Sequence, residues 1–193
     1  MGNFIAVVYS SRYGHTERIA DAIADGIASA GSEVELFTTI EAAHELGHLD
    51  NAAGFVFGAP TYMGNMASEM KLFMEKSVNR WYSRAWSGKI AGGFTNSSNF
   101  SGEKVNTMMG MMVYAMQMGM IWVGLDEATD QNCNIEGPNS FALNRIGSSI
   151  GPMACSFSAK VPDAPSIGDI QTAENYGRRI ASIVQRFSPL KAS

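Results

Sequence analysis

Near the start of the sequence, Phe4-Ile5-Ala6-Val7-Val8-Tyr9 is followed directly by Ser10-Ser11-Arg12-Tyr13-Gly14-His15-Thr16. A short, continuous apolar run rich in β-branched and aromatic residues is typical of a strand buried on both faces, as in a parallel sheet. Apolar residues then recur at helical spacing from residue 16 to residue 30, with Thr16 as the candidate N-cap. The stretch predicts a strand, a polar loop and a helix.

The same alternation continues along the chain. Further apolar runs predict strands at Val34–Phe37, Gly54–Gly58, Ile90–Thr95 and Met120–Val123. Helical spacing predicts helices at Ala67–Trp81, Lys104–Met118 and Thr172–Phe187, and a short helix before the third strand. Alternating strands and helices predict an α/β fold, a doubly wound five-stranded parallel sheet with helices on both faces.

The segment from about residue 126 to residue 165 departs from this alternation. It is rich in Gly, Asn, Ser and Pro, which predicts a long loop or lid. No repeat and no linker divides the sequence, so we expect a single domain over residues 1–193.

Composition excludes several classes of protein. The net charge of −4 leaves no excess of cations to neutralise phosphates, which argues against a nucleic-acid partner. Cys133 and Cys155 are far apart, so a disulfide framework is not expected. We find no signal-peptide pattern and no apolar run of the ~20 residues that span a bilayer. A cytoplasmic protein with no membrane span is expected.

Polar loops follow the first, third and fourth predicted strands. Because the carboxyl ends of parallel strands meet at one edge of a sheet, these loops should surround one ligand site. The first loop opens a helix, whose free N–H groups and dipole favour a phosphate, and the others offer hydroxyls, amides and rings. The candidate cofactor-binding residues are Ser11, Arg12, Tyr13, Gly14, His15, Thr16, Pro60, Thr61, Tyr62, Met63, Gly64, Asn65, Thr95, Asn96, Ser97, Ser98, Asn99, Phe100 and Ser101.

The identity of this ligand follows from the loops taken together. Each loop alone is also compatible with ordinary turn chemistry. The first loop matches neither GxGxxG nor GxxxxGK[ST], which disfavours a Rossmann dinucleotide site and excludes a P-loop site. Phosphate donors in one loop and ring contacts in the other two suit flavin mononucleotide (FMN).

Several pieces of sequence resemble a known family. They are Ser11-Arg12-Tyr13-Gly14-His15-Thr16, Pro60-Thr61-Tyr62-Met63-Gly64-Asn65-Met66, and Trp81 followed by Gly88-Lys89. On these residues the chain resembles the tryptophan-repressor-binding-protein family of flavodoxin-like NAD(P)H:quinone oxidoreductases, from the first strand to about Val123. The resemblance implies a flavodoxin-like sheet of order 2-1-3-4-5, FMN as cofactor, NAD(P)H as co-substrate and a homodimer or homotetramer.

The resemblance also implies where the ligands lie. The FMN phosphate would bind residues 11–16, and the ring would lie against residues 61–63 and 96–101. Tyr13 and Trp81 would lie near the nicotinamide or the quinone. Met118 stands where the family has a histidine beside the flavin, and the third loop lacks the family's glycines. The candidate substrate-face residues are therefore Tyr13, Trp81 and Met118, and no side chain is assigned a certain catalytic role.

The expected activity is FMN-dependent transfer of two electrons from NAD(P)H to a quinone or a similar small acceptor. The flavin carries this reaction, and the protein positions the reactants and excludes water. A flavodoxin-type electron carrier and a non-catalytic FMN-binding protein remain alternatives.

One motif points to different chemistry. His44-Glu45-Leu46-Gly47-His48 matches HExxH, in which two histidines on one helix face bind zinc and the glutamate acts as a base. The motif falls where the predicted fold has a short peripheral helix, so an exposed charged helix is favoured and no metal site is predicted. A zinc metallopeptidase is the distant alternative.

Overall fold

The computed structural model describes residues 4–129 and 139–187. The strands in these ranges are β1 (Phe4–Tyr9), β2 (Val34–Thr38), β3 (Ala52–Tyr62), β4 (Asn65–Met66), β5 (Ile90–Ser97), β6 (Ile121–Trp122) and β7 (Met153–Cys155). The helices are α1 (His15–Ser29), α2 (Thr39–His44), α3 (Leu46–Leu49), α4 (Ser68–Lys76), α5 (Val78–Ser83), α6 (Lys104–Gln117) and α7 (Ile167–Phe187).

The main path of the sheet runs β2-β1-β3-β5-β6, and all neighbours along it are parallel. This path has the order predicted for the five expected strands, and the α/β fold class is confirmed. Two short strands were not expected. β4 pairs antiparallel with the end of β3, and β7 pairs parallel with the end of β5.

The last position of the sheet is shared by two short strands. β6 pairs with the start of β5, at Ile90 and Ala91, and β7 pairs with its end, at residues 95–97. Because β3 occupies the other side of β5 as far as Asn96, β6 and β7 must follow one another along the same edge. β7 lies inside the segment expected to be a loop or lid, where its three residues were too short to give a strand pattern.

Helices cover both faces of the sheet. Alternate residues of β1 point to opposite faces, so Ile5 and Val7 pack with α1 and α7, while Ala6 and Val8 pack on the side of α4 and α6. The apolar residues of α1 and α7 form one core, which includes the fully buried Tyr176. In the second core, methionines and aromatic rings of α4 and α6 pack against Phe55, Phe57 and Trp86.

Some helix boundaries differ from those predicted. The expected helix over Ala67–Trp81 is interrupted at Ser77, where α4 ends and α5 follows. The buried Ser77 hydroxyl lies 2.8 Å from the Met74 carbonyl oxygen and 2.6 Å from the Tyr114 hydroxyl, and such side-chain bonds compete with the helical ladder. Within the described ranges, none of the helices is both long and apolar enough to cross a membrane.

Candidate functional site

A cavity of about 210 Å³ lies at the carboxyl ends of β1, β3 and β5. It is lined by residues of all three predicted loops and of a fourth segment that follows β7. The lining residues are Ser11, Arg12, Tyr13, His15, Thr16, Pro60, Thr61, Tyr62, Asn96, Ser97, Ser98, Ser156 and Phe157. The parallel sheet thus brings the three loops together, as its topology requires.

The first loop presents hydrogen-bond donors to an anion. Ser11 Oγ accepts hydrogen bonds from the N–H groups of Gly14 (3.1 Å) and Glu17 (3.2 Å), which leaves its own O–H free to donate. Gly14 has a φ of +85°, which strains any other residue. Further N–H groups have no partner within the described residues: those of Arg12, Tyr13, His15 and Thr16. Such donors at the N-terminus of α1 favour a phosphate.

The side chain of Arg12 points away from this loop, toward α4. Arg12 Nη2 lies 2.7 Å from Glu69 Oε1 and 3.3 Å from Ser68 Oγ, and the guanidinium carbon lies 5.4 Å from the centroid of the Tyr62 ring. Burial opposes ionisation of Glu69, but its hydrogen bonds and the positive charge of Arg12 lower its pKa overall. The guanidinium is therefore paired with Glu69, and the hydrogen-bond donors that the loop presents to an anion are uncharged.

The second loop is a hairpin. Residues 60–62 at the end of β3 line the cavity, and the Tyr62 ring meets the Tyr13 ring edge-on with centroids 6.4 Å apart. Met63 forms the tip of the hairpin with a φ of +48° and is fully exposed. Residues 63–65 therefore lie outside the lining of this cavity, and Asn65 lines a second, adjoining cavity.

Only the first part of the third loop reaches the cavity. Residues 96–98 line it. Thr95 is fully buried instead, where its hydroxyl donates to the Ala59 carbonyl oxygen at 2.7 Å and so links β5 to β3. Residues 99–101 lie outside the lining, and their carbonyl oxygens accept hydrogen bonds from Lys104 Nζ.

Sequence reasoning missed Ser156 and Phe157, which follow β7. Asn96 Nδ2 donates to Ser156 Oγ at 3.0 Å, and the Phe157 ring meets the Phe100 ring edge-on at 5.0 Å. The local signal is an apolar run over residues 153–155 that ends in a serine, as after β1, but this run is too short to predict a strand.

A larger cavity of about 1010 Å³ adjoins the first one. Arg12 and Tyr62 line both cavities and form their common wall. Trp81 and Met118 line the larger cavity, whereas Tyr13 lines the smaller one. The three predicted substrate-face residues therefore do not meet in one cavity of this chain, because α5 holds Trp81 on the far side of the wall.

Comparison with known proteins decides the family. A profile of the flavodoxin domain matches residues 6–112, more than half of the chain. The flavodoxin FldP of Pseudomonas aeruginosa (strain UCBPP-PA14) is 38% identical over 181 residues, which cover 93% of this chain and 96% of that protein. The chain belongs to the flavodoxin family.

Other flavodoxin-like proteins are similar over almost the whole chain. The crystal structure of a WrbA-like flavodoxin from Agrobacterium tumefaciens is 32% identical, with a TM-score of 0.74, and the match covers 96% of this chain and 99% of that one. An NAD(P)H dehydrogenase (quinone) of Geotalea uraniireducens (strain Rf4) is 27% identical over 210 residues, 95% of this chain and 98% of that protein. The resemblance inferred from the sequence motifs is confirmed.

The residues of this flavodoxin fit FMN. Ser10 Oγ and Asn96 Oδ1 are buried and have no hydrogen-bond partner within the described residues. A buried polar atom without a partner costs about 1–3 kcal/mol, which a ligand can recover. Asn96 lines the cavity, and FMN offers a ring N–H and ribityl hydroxyls as partners. The neutral donors of the first loop suit its phosphate, and FMN as the cofactor, predicted from the sequence, agrees with the family.

The HExxH residues of this flavodoxin lie at the edge of the sheet, away from the cavity. α2 ends at His44 and α3 begins at Leu46, so the two histidines are not on one continuous helix. His48 Nε2 pairs with Glu35 Oε2 at 2.8 Å, and its ring stacks on Phe4. In the described part of the chain, no three His, Cys, Asp or Glu side chains are grouped as a metal ion requires. These contacts favour a structural role for the motif.

Proposed function

We propose that this protein is an FMN-dependent oxidoreductase that transfers two electrons from NAD(P)H to a quinone-like acceptor. The observation that carries the proposal is the cavity of about 1010 Å³ that shares Arg12 and Tyr62 with the cofactor cavity. An electron carrier needs only an exposed cofactor edge, whereas an enzyme needs room for a nicotinamide and then a quinone. Apolar cavities with a few polar groups are where proteins typically bind such molecules.

FMN, when bound, accepts a hydride from a nicotinamide and passes two electrons to an acceptor. The chain's part is to hold the cofactor and position the reactants. Residues 11–16 would supply N–H and O–H donors for the phosphate, and residues 60–62 and 96–98, which line the same cavity, would hold the ring. Such fixed donors position a reactive ring without covalent chemistry of their own.

Tyr62 is the side chain best placed to donate a proton in a hydrogen bond to an acceptor carbonyl. It lies on the common wall of both cavities. Burial, and then the neighbouring Tyr13 phenol, raise the pKa of Tyr62 above its ordinary value. The phenol therefore keeps its proton at neutral pH and can donate to a quinone oxygen.

The charges around the larger cavity support an uncharged acceptor. Arg12 is paired with Glu69, and Lys71 is paired with Glu75 at 3.0 Å. With both cations paired, the cavity has little attraction for an anion. Met74, Val78 and Trp81 add an apolar lining that suits a quinone ring.

An electron carrier is the second candidate, because the FldP relative is named a flavodoxin and is 38% identical. The two functions differ in the rate at which the protein oxidises NADH or NADPH. The FMN-loaded protein is mixed with NADH or NADPH and benzoquinone, and nucleotide oxidation is followed. An enzyme should oxidise at least one nucleotide at least tenfold faster than free FMN at the same concentration. A rate no higher than that of free FMN would favour the carrier.

The cytoplasmic location and the homo-oligomeric state stay predictions.

A further inference from the structure

A lysine is buried beneath the third loop. Lys104, the first residue of α6, is 1% exposed, although lysine is rarely buried without a partner. Its Nζ donates to the carbonyl oxygens of Asn99, Phe100 (2.8 Å) and Ser101 (3.4 Å). Three acceptors around one nitrogen match the three N–H donors of an ammonium group. Burial lowers the pKa of Lys104. The three carbonyl oxygens are hydrogen-bond acceptors for its charged form.

The neighbouring charges leave Lys104 without a carboxylate of its own. Arg145 and Asp169 are also buried, and they form a bidentate pair with both N–O distances at 2.8 Å. Because the nearest buried carboxylate is thus committed to Arg145, the buried group of Lys104, Arg145 and Asp169 carries one net positive charge. Within residues 4–129 and 139–187, no ion pair joins Lys104 to an acid.

The lysine also sets the direction of the loop's peptide groups. In a trans peptide the C=O of one residue and the N–H of the next point in opposite directions. Since the carbonyls of residues 99–101 face Nζ, the N–H groups of residues 100–102 point away from the buried lysine. These N–H groups have no partner among the described residues. The partly positive N–H groups of the loop therefore point away from Lys104. The loop itself follows residues 96–98, which line the cavity.

We propose that Lys104 is a positioning residue that orients the third loop toward FMN and favours the reduced form of the cofactor. The inference rests on the proposed FMN site. A hydride from NAD(P)H brings two electrons and one proton, so a flavin ring deprotonated at N1 gains one negative charge, and the nucleotide leaves as NAD(P)⁺. A fixed positive charge in a poorly solvated place attracts that negative charge and has less effect on the neutral oxidised ring.

Three variants separate the charge from the hydrogen bonds. K104R keeps the charge, K104Q keeps N–H donors without the charge, and K104M keeps neither. K76Q, at an exposed lysine of α4, is the control for loss of a surface charge. For each FMN-loaded protein, the dissociation constant of oxidised FMN is measured by quenching of flavin fluorescence. The midpoint potential is measured by anaerobic titration, and the two values together give the affinity for reduced FMN.

The expected result is a selective loss of affinity for reduced FMN. In K104Q and K104M the ratio of the dissociation constants of oxidised and reduced FMN should fall at least tenfold, which lowers the two-electron potential by about 30 mV. K104R and K76Q should keep the potential of the wild type. Equal weakening of both forms in K104Q, with an unchanged potential, would show that Lys104 only supports the fold of the loop.

Two further outcomes are decisive. If K104M does not fold, the comparison of K104Q with K104R still decides between charge and donor. A wild-type chain that binds no FMN would overturn the cofactor site itself, a result clearly different from an unchanged potential in a chain that does bind.

Discussion

Arg12 and Glu69 form an ion pair of 2.7 Å that fixes the guanidinium over the Tyr62 ring. The pair places Arg12 on the wall between the two cavities, so we do not expect its guanidinium to bind the phosphate of a cofactor. We therefore expect the wall to act on the acceptor and the neutral donors of the first loop to act on the cofactor.

Glu69→Gln should affect the acceptor more than the cofactor. Because the pair is partly exposed, its loss should change the free energy of unfolding by less than about 1 kcal/mol. We expect FMN affinity to stay within about twofold and kcat/KM for benzoquinone to fall about threefold to tenfold, a loss of up to about 1.4 kcal/mol. A fluorescence titration with FMN and steady-state kinetics with benzoquinone measure the two quantities. A larger loss of FMN affinity than of kcat/KM would contradict the prediction.

The same pair predicts a pH dependence. The pKa of Glu69 is lowered from 4.5, so the stabilisation by its charged form is fully present above that value and is lost as the pH falls through the lowered pKa. The difference in stability between the wild type and Glu69→Gln should therefore be constant from neutral pH down to about 4.5 and shrink below it. Urea denaturation of both proteins over this range tests the prediction. A difference that already changes near neutral pH would speak against the assigned pair.

Gly14→Val should abolish tight FMN binding. The φ of +85° is strained for a β-branched residue, and a Cβ would lie 3.2 Å from Val161 Cγ2. We expect the dissociation constant of FMN to rise at least about tenfold, which is about 1.4 kcal/mol. Gly31→Val is the matched control, because Gly31 has a φ of +79° with no atom within 4 Å. It should lose stability and keep FMN affinity. Equal FMN affinity in both variants would exclude the first loop as the phosphate site.

Asn96→Leu should weaken FMN binding while leaving the protein without cofactor almost unchanged in stability. The substitution removes the hydrogen bond to Ser156, but it also removes the unpartnered Oδ1. Because these effects are each about 1 kcal/mol and opposite in sign, the free energy of unfolding should change by less than about 1 kcal/mol. The FMN dissociation constant should rise about tenfold in a fluorescence titration. A strong loss of stability with unchanged FMN affinity would make Asn96 purely structural.

Val113→Trp should block the larger cavity and leave the cofactor in place. Val113 lines that cavity on α6 and is 55% exposed, so a tryptophan can fill space without entering the core. We expect kcat/KM for benzoquinone to fall about tenfold, about 1.4 kcal/mol, with unchanged FMN affinity. Val105→Trp, on the same helix at an equally exposed residue outside the cavity lining, should keep wild-type activity. Equal activity of the two variants would remove the larger cavity from the reaction.

The sequence predicts the strands of the central sheet well because the long ones are continuous apolar runs, as at Phe4–Tyr9, whereas their order was implied by the family resemblance. β7 escapes prediction because three residues carry no periodic pattern, and its place is decided by pairing with the distant β5. The break at Ser77 is not predictable from the local sequence for a similar reason, because it depends on a contact with Tyr114.

Site residues were predictable where backbone geometry decides them and less so where side-chain direction does. Gly14 and the donors after β1 follow from a strand, a loop and a helix in succession. Arg12 and Thr95 lie in the predicted loops, but their side chains point to other partners. Arg12 pairs with Glu69, and Thr95 donates a hydrogen bond to the Ala59 carbonyl oxygen. The position of Trp81 depends on the break between α4 and α5, which no local pattern reveals.

The most direct test of the proposed function is an anaerobic reaction of the FMN-loaded protein with NADH and, separately, with NADPH, followed by benzoquinone. We predict that at least one nucleotide bleaches the visible flavin absorption and that benzoquinone restores it, with one quinone reduced for each FMN reoxidised. A flavin that neither nucleotide bleaches, but that a flavodoxin reductase reduces readily, would contradict the enzyme and identify an electron carrier.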